Sequence, residues 1–484
     1  MPELSHNRRL LILAICCLSL LIVGMDVTIV NVALPSIRTD LHASVSGLQW
    51  TIDGYTVVLA SLLILSGSTA DRLGRRRTFQ VGLALFTFGS LLCSVAPGLG
   101  WLIAFRMLQA VGGSMLNPVA MSIITNVFTD PRERARAIGA FAGVVGVSLG
   151  VGPVLGGVLV DSIGWRSIFW VNVPIGIAAF VLAAIFIPES KAERARRIDP
   201  LGQVLVIGVL LSLTYAIIEA PRVGDSPEIW VLAALCLTAL VTLLRHESRR
   251  QDPLIELTFF RSVPFSGATV MAVCAFGAFS AFLFLNTLYL QDVRGLSALQ
   301  AGLFLLPMAA MTAVFAPISG RMVGNHGPRT PLLIAGAAMF LGALPLTGLT
   351  DDLGYGWLLC CYLVFGLGFG MVNAPITNAA VSGMPRSQAG VAAAVASTSR
   401  QVGASLGVAI VGAVVSSGAG ATIRTEFAQA SHPGWWTVVG CGAAVFLLAL
   451  VTTGRWAAGS ALKVADLLDE EAVPQPPVAG MMKP

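Results

Sequence analysis

Charged residues are scarce in this chain of 484 residues: Asp, Glu, Lys and Arg make up 11% of it, and hydrophobic residues make up 56%. A soluble globular protein carries about 25% charged residues. Because so few charges accompany a mean hydropathy of +0.82, the chain must use lipid as its solvent. The composition excludes an ordinary soluble enzyme and predicts an integral membrane protein.

Residue patterns for metal binding, redox chemistry and nucleotide use are also missing. The eight cysteines lie in apolar stretches without a Cys-x-x-Cys pair, which favours small buried side chains over disulfides or metal ligands. The five histidines lack the spacing of metal ligands, and the sequence contains no phosphate-binding P-loop. We therefore expect no cofactor, no metal, no direct use of ATP and no enzymatic activity.

The chain is instead rich in long apolar runs. Runs of about 18–25 residues, each long enough to cross a bilayer, recur between clusters of Pro, Gly and Arg. The run over residues 10–32 is too long for a typical signal peptide, and we expect it to be retained as a span. We predict fourteen spans, which begin near Leu10, Leu48, Thr78, Leu99, Ala137, Ser167, Leu201, Ile229, Phe265, Ala298, Pro331, Gly356, Gly390 and Trp435.

Lys and Arg are distributed unevenly between the predicted loops. One alternating set of loops, which includes both termini, holds the basic clusters at 72–77, 132–136, 191–197 and 245–261 and the single residues Arg321, Arg329 and Arg386. The other set holds only Arg38, Arg166, Arg222, Arg294 and Arg424. Cytoplasmic loops carry the excess of positive charge, so we expect a multi-pass protein of the cell membrane with cytoplasmic N- and C-termini. Basic loops can also bind nucleic acid, but these are short and separated by spans, and we expect no nucleic-acid partner.

The two halves of the chain contain matching segments. Residues 145–151 and 402–408 are identical at six of seven positions, and Met-Leu-Asn at 115–117 corresponds to Met-Val-Asn at 371–373. The offsets place six spans before and six spans after a middle pair. We expect a six-helix bundle over 1–187, a two-helix insertion with cytoplasmic linkers over 188–262, a second six-helix bundle over 263–454 and a cytoplasmic tail over 455–484.

Two aspartates, Asp26 and Asp53, lie inside apolar spans, where an ionisable group costs at least ~2.5–3.5 kcal/mol. Arg106 lies at a similar depth in span 4. A buried carboxyl group near an arginine can be tuned to exchange a proton near neutral pH, and a proton and a cationic substrate can then compete for it. The alternative is a structural ion pair between Asp26 and Arg106 that locks spans 1 and 4.

Five segments resemble the motifs of the fourteen-span drug:proton antiporters of the major facilitator superfamily. They are 25–35 (MDVTIVNVALP), 67–77 (GSTADRLGRRR), 106–113 (RMLQAVGG), 150–157 (GVGPVLGG) and 164–174, which contains Gly164-Trp165-Arg166 and Asn172-Val173-Pro174. The resemblance covers residues 10–455. It implies an all-α integral membrane protein with the major facilitator fold, in which two six-helix repeats and two extra helices give 14 transmembrane helices.

The resemblance also implies roles for individual residues. Proton coupling or substrate contact is expected of Asp26, Asp53, Arg106, Gln109 and Arg400. Gating is expected of Gly67, Asp71, Gly74, Arg75 and Arg76 in the loop between spans 2 and 3, and of Gly150, Pro153, Gly156 and Gly157 in span 5. Simple topology and turn formation are the alternative for the loop, and ordinary close packing is a compatible reading of the span 5 glycines.

The segment from Trp50 to Tyr55, with Asp53 inside it, resembles the QacA-type exporters of quaternary ammonium compounds and dyes. Spans 10 and 13 lack the acids of that type, so transport of divalent cations is not implied. Arg400 lies near mid-membrane in span 13, and the second half of the chain offers it no buried acid. Its expected partner is a backbone carbonyl, Asp26 or an anionic part of a substrate. Candidates to line a pocket, although most should face lipid or core, are Phe276, Phe279, Phe282, Phe284 and Met371.

These observations predict a proton-driven exporter of lipophilic, cationic small molecules that works by alternating access. Its partners would be these substrates, protons and the lipid bilayer, and we expect a monomer. Two alternatives stay open: a dedicated exporter of one endogenous metabolite, antibiotic or lipid, and a membrane receptor or scaffold that does not transport.

Overall fold

The computed structural model describes residues 5–191, 199–224, 226–250, 253–382, 384, 389–418 and 423–472. These residues form α-helices and no β-strand. The helices are α1 His6–Leu41, α2 Val45–Leu73, α3 Arg75–Ser94, α4 Leu99–Val127, α5 Pro131–Ser162, α6 Ser167–Trp170, α7 Asn172–Phe186, α8 Pro200–Val223, α9 Pro227–Glu247, α10 Val263–Leu288, α11 Ala298–His326, α12 Arg329–Ala343, α13 Tyr355–Val381, α14 Ala389–Gly418, α15 Ile423–Thr452 and α16 Arg455–Ala472.

Thirteen helical segments in the described part of the chain are long and apolar enough to cross a membrane, with α6 and α7 acting as one segment. The 20-residue helix α3 is less apolar because it begins with three arginines. It nevertheless packs antiparallel along α4, with Gly82 against Met115 and Gly89 against Gln109. Counting α3, the described residues contain fourteen long helical segments, the number of spans predicted. The last of them begins at Ile423, well before the predicted Trp435, because the polar segment in front of Trp435 continues the helix.

The helices group into two lobes. In the first lobe α1 packs against α5, α2 against α4 and α3 against α4; in the second lobe α10 packs against α14, α11 against α13 and α12 against α15. The lobes meet where α5 contacts α11 and where α2 contacts α14. The first lobe has a separate hydrophobic core drawn entirely from residues between Ile12 and Ile187.

The two ends of the bundle differ in charge. We call the end that carries the first residues of α1 and the turn at Gly74 the basic end, and the end that carries the turn at 42–44 the opposite end. The described basic clusters at 72–77, 132–136 and 245–250 all lie at the basic end. The cluster at 191–197 is described only at Lys191, and Arg386 lies outside the described residues.

Helices α8 and α9 lie beside the seam between the lobes. α8 contacts both α2 and α14, whereas α9 packs chiefly on α8 and leaves most of its surface to lipid. The side-chain amide of Gln203 donates from Nε2 to the Ser61 carbonyl at 2.6 Å, and the Trp50 indole donates to Glu219 at 3.2 Å. The insertion is therefore fastened to the first lobe by hydrogen bonds between α8 and α2.

A helix follows the last membrane span, in the segment predicted as a tail. In α16 the side chains of Ala457, Ala461, Val464 and Leu468 are buried, and the helix packs against α10. The Ser460 hydroxyl accepts a hydrogen bond of 2.9 Å from the Val263 backbone N–H. The first part of the predicted tail is thus a docked amphipathic helix, and residues 473–484 lie outside the described residues.

Candidate functional site

Asp26 of α1 and Arg106 of α4 form an ion pair inside the first lobe. Their side chains are 0% and 2% exposed, so both charges are withdrawn from solvent. The Arg106 guanidinium also lies over the Tyr55 ring, 4.2 Å from its centroid. Removing two charges from water is costly unless each is paired and hydrogen-bonded, and the surrounding residues meet this requirement.

Three neutral side chains complete the network around the pair. The Asp26 Oδ1 atom accepts hydrogen bonds from Gln109 Nε2 at 2.9 Å and from Asn172 Nδ2 at 3.1 Å. Arg106 Nη1 donates to Gln109 Oε1 at 2.8 Å. Ser90 accepts from Gln109 and Asn172 at 3.2 and 3.1 Å. The network joins α1, α3, α4 and α7, which is the geometry of the structural ion pair that the sequence left open as an alternative.

Asp53 does not belong to this network. It lies on α2 with both carboxyl oxygens buried, and neither oxygen makes a hydrogen bond of standard geometry within the described chain. The hydroxyl of Ser405, which belongs to α14 of the other lobe, interacts with it. One turn away, Gln49 Nε2 donates to the Ala409 carbonyl of α14 at 2.8 Å. Asp53 is therefore a buried carboxyl group on the seam between the lobes, with no charged partner among the described residues.

Ser405 and its repeat counterpart Ser148 both stand in the spacing G-x-S-x-G, at 146–150 and 403–407. In hydrolases this spacing marks a nucleophile on a strand-to-helix turn. Here both serines lie inside helices, and the Ser148 hydroxyl donates to the Val145 carbonyl at 2.8 Å. The spacing reflects small residues at helix contacts and supplies no catalytic group.

Arg400 lies in the second lobe, away from Asp26. Its Nη1 atom is 3.4 Å from Asn373 Oδ1 and 3.3 Å from Thr377 Oγ1, both on α13. The expected protein partners, a backbone carbonyl or Asp26, are therefore wrong, because a side-chain amide and a hydroxyl of the neighbouring helix reach the guanidinium first. Among the proposed pocket residues, Phe282, Phe284 and Met371 are buried in the core, and Phe276 remains partly exposed beside Arg400.

The loop between α2 and α3 is a tight turn, and a carboxylate from outside the loop, that of Glu189, binds to it. Gly74 adopts φ +116°, a conformation that favours glycine, and Asp71 accepts a hydrogen bond of 3.0 Å from Arg75. Glu189, which follows α7, accepts hydrogen bonds from the backbone N–H groups of Arg76 and Arg77 at 3.1 and 3.3 Å. Sequence reasoning missed Glu189, although a carboxylate is the expected cap for a helix N-terminus such as that of α3. Gly67 faces open space, since a Cβ atom added to it would have no neighbour within 4 Å.

The space around the glycines of α5 shows where the two lobes are in contact. A Cβ atom on Gly157 would overlap the Leu299 Cα of α11, and one on Gly302 would overlap the Pro153 carbonyl oxygen. On Gly150 the nearest atom of α11 would be 3.6 Å away, and on Gly143 nothing would lie within 4 Å. Gly156 faces α1 instead, where the added atom would be 2.6 Å from Ile29. Helices α5 and α11 therefore touch at the opposite end and diverge towards the basic end.

Hydrogen bonds between the lobes gather at the opposite end. Arg38 pairs with Asp292 at 3.0 Å, and Gln291 donates to the Val32 carbonyl at 2.8 Å. Asp161, at the end of α5, accepts from the backbone N–H groups of Ala298 and Leu299 at 3.2 and 2.9 Å and so caps α11. Within the described ranges we find no such bond between the basic-end halves of the two lobes. Among the described residues, the hydrogen bonds between the lobes are thus concentrated at the opposite end, and α5 and α11 diverge beyond Gly146 towards the basic end.

Two helical lobes that meet along α2–α14 and α5–α11, with ionisable groups buried between spans, define a membrane transporter and not an enzyme. A sequence profile described as Major Facilitator Superfamily matches residues 16–408. The chain therefore belongs to the major facilitator superfamily.

The chain is similar to two relatives and to one solved structure. It is 38% identical over 419 residues to the tetracenomycin C resistance and export protein of Streptomyces glaucescens, covering 85% of this chain and 77% of that protein. It is 34% identical over 430 residues to the multidrug resistance protein Stp of Mycobacterium tuberculosis, covering 88% and 79% of the two chains. The crystal structure of a peptide transporter, POT, in complex with sulfate superposes with a TM-score of 0.66 at 14% identity, covering 96% of this chain and 97% of that one, and shares the fold alone.

Proposed function

We propose that this protein exports lipophilic small molecules, cationic ones among them, across the cell membrane in exchange for protons. The observation that carries the proposal is Asp53: a fully buried carboxyl group with no charged partner and no hydrogen bond of standard geometry in the described structure, on the seam between the two lobes. The relatives named for drug resistance and export support the direction of transport.

Burial of an ionised carboxylate without hydrogen bonds is unfavourable, and such groups take up a proton instead. In the conformation closed at the opposite end, Asp53 is therefore proposed to be neutral. When the lobes separate there, the contact between α2 and α14 opens, water reaches the carboxyl group and the charged form is stabilised by solvent. Loading Asp53 with a proton is thereby coupled to closing the seam, which is the requirement for exchange.

The orientation follows from the positive-inside bias of the loops. We infer that the basic end, with the N-terminus and the loop at Arg75, faces the cytoplasm. The conformation described here has the lobes in contact at the outer end, and we propose that the substrate enters from the cytoplasmic side. A cationic substrate that enters from the basic end is proposed to displace the proton of Asp53 to the cytoplasm, and a new proton bound from outside releases the substrate once the lobes have separated there.

Purified protein in liposomes tests the proposal, with a lipophilic cation as substrate and pH as readout. Wild-type protein should release protons and drive uphill export, and Asp53→Asn should abolish both because an amide cannot exchange a proton. Asp466→Asn changes an exposed carboxyl group of α16 and should leave both unchanged. If Asp53→Asn and Asp26→Asn both pump uphill at the wild-type rate, the proposed coupling is wrong; a wild-type protein that shows no substrate-dependent pH change would favour the receptor or scaffold alternative.

A dedicated exporter of one compound is the second candidate. The relative from Streptomyces glaucescens, which is named for a single compound, favours it. A panel of unrelated lipophilic cations in cells that lack other pumps separates the two: protection against several of them, lost in Asp53→Asn, is expected of the multidrug exporter, and protection against one compound alone would support the dedicated one.

A further inference from the structure

The second lobe holds a cation that the proton-coupling proposal does not use. Arg400 lies in the interior of α14, five residues from Ser405 towards the basic end, or about 7.5 Å along the helix axis. Its side chain is only partly buried. A charged group inside a membrane span is energetically costly, and such groups typically line a water-filled cavity or a substrate path.

The contacts of Arg400 leave most of its hydrogen-bonding capacity free. A guanidinium group has five N–H donors, yet within the described structure only Nη1 makes hydrogen bonds, both of them long, to Asn373 and Thr377. Asn373 is itself exposed and Thr377 is partly exposed. The cluster of Arg400, Asn373 and Thr377 thus borders open space instead of being sealed in the core.

Among the side chains that the structure describes, no acid balances this charge. The acidic side chains described in the second lobe, those of Asp292, Asp351 and Asp352, lie at the opposite end, in the connections between its long helices. Asp26 is already enclosed by Arg106, Gln109 and Asn172. The positive charge of Arg400 is therefore available to a ligand.

Aromatic side chains stand beside the cluster. The Phe276 ring centroid is 5.9 Å from the Arg400 guanidinium carbon. Phe276 packs edge-on against Phe369 at 5.2 Å, and Phe369 stacks on Phe279 at 4.1 Å. An aromatic ring next to a guanidinium suits a planar ligand that carries an anionic oxygen, because arginine binds such groups with two parallel hydrogen bonds.

We propose that Arg400, with Asn373 and Thr377, forms a subsite for the acidic oxygen group of an aromatic substrate whose ring lies against Phe276. The group is a carboxylate, a phenolate or an enolate. The inference rests on the proposed export function and extends its substrates from lipophilic cations to aromatic acids. The cluster lies on the basic-end side of Asp53 and Ser405, and Asn373 is exposed, so we expect such a substrate to reach it from the basic end.

Binding of matched probes to the purified full-length protein tests the subsite. The probes are 2-naphthoate, its neutral carboxamide and the ammonium analogue 2-naphthylmethylamine, measured by calorimetry. Wild-type protein should bind the carboxylate at least ~tenfold more tightly than the carboxamide, since charge-assisted hydrogen bonds are replaced by neutral ones. Arg400→Gln should abolish this preference and leave binding of the ammonium probe within ~twofold.

Three further variants separate a subsite from a general loss of fold. Arg400→Lys keeps the charge but not the planar fork and should retain part of the preference. Asn373→Ala should weaken the carboxylate alone. Arg321→Gln removes an exposed arginine near the basic end of α11 and should change nothing.

The failure of this inference is distinct from a failure of the proposed function. Equal affinity of the wild-type protein for carboxylate and carboxamide, or an unchanged preference in Arg400→Gln, overturns the subsite while proton-coupled export of cations can still be observed. If the carboxylate preference depends on Arg400 but no cation drives proton release, the subsite stands and the proton-coupling proposal fails.

Discussion

Asp26 and Arg106 show how a single buried pair can have either of two roles. Each charge is fully enclosed, and Asp26 is held by Arg106, Gln109 and Asn172. Removing one member of such a pair leaves the other charge buried and uncompensated, which costs roughly 3–5 kcal/mol. Stability and transport can therefore be separated by comparing single and double variants.

We predict that Arg106→Gln lowers the stability of the purified protein by about 3–5 kcal/mol, and that the double variant Asp26→Asn with Arg106→Gln recovers most of that loss because no lone charge remains. Thermal unfolding in detergent measures this. Arg38→Gln breaks a partly exposed pair and should cost about 1 kcal/mol or less. If the double variant also regains proton-coupled transport, Asp26 is structural; a stable but inactive double variant assigns Asp26 to the coupling.

Asp71 offers the converse case, in which stability should hardly change. Its side chain is 38% exposed and its partner Arg75 is four residues away on the same turn, a pair expected to contribute less than about 1 kcal/mol. We predict that Asp71→Asn unfolds within about 1 kcal/mol of the wild type but transports much more slowly, because we propose that Asp71 helps to hold the basic end shut in one state. If Asp71→Asn transports at the wild-type rate in liposomes, Asp71 has no role in gating and contributes only to the turn.

At the scale of helices, the lobes can come into contact because glycines place no side chain between them. Gly157 and Gly302 bring the backbones of α5 and α11 together, and the atoms that an added Cβ would meet are backbone atoms that cannot turn aside. Small residues at such points allow close helix packing in membranes. The same helices diverge near Gly143 and Gly139, where a methyl group meets nothing.

We predict that Gly157→Ala disfavours the conformation closed at the opposite end, because the methyl group forces α5 and α11 apart. Spin labels placed on α1 and on α11, both at the opposite end of the bundle, should lie farther apart in this variant than in the wild-type protein. Gly139→Ala is the matched control, since it adds the same methyl group to the same helix in open space, and it should stabilise α5 by roughly 0.5–1 kcal/mol without changing the distances. Equal distances in both variants would contradict a role of this contact in closure.

At the scale of the whole molecule, only a few groups of the described structure hold the opposite end closed. Asp161 caps α11, and Arg38 pairs with Asp292, across an interface that must break in every cycle. A carboxylate at a helix N-terminus contributes about 0.3–1 kcal/mol, more when partly buried. Such a latch is strong enough to bias two conformations and weak enough to open.

We predict that Asp161→Ala shifts the population towards the conformation open at the opposite end by a factor of about 2–30, the range that about 0.5–2 kcal/mol of lost capping implies. The same spin-label distances measure the shift. Asp130 caps the first turn of α5 within one lobe, so Asp130→Ala should weaken that helix and leave the population unchanged. A similar shift in both variants would point to a general loosening instead of a latch.

Several site residues could be found from the sequence, and their partners could not. Asp26, Arg106 and Gln109 stand out as polar groups in apolar spans, and Asn172 lies in a segment that resembles a known motif. Glu189 and Asp161 gave a weaker signal: each is a carboxylate next to a span end, and nothing local shows that it caps a helix more than 100 residues away in the chain. The protein partners expected for Arg400, a backbone carbonyl or Asp26, were wrong for the same reason.

The sequence by itself determined where the chain crosses the membrane, how many times, and that the two halves repeat, because hydropathy and loop charge act on each segment separately. Only the tertiary structure decided which faces of the helices meet. Asp26 is enclosed while Asp53 faces Ser405 across the seam, and the described hydrogen bonds between the lobes gather at one end. The physical reason is that lipid is as apolar as the helix surfaces, so the rotation of each helix follows from close packing and a few long-range hydrogen bonds.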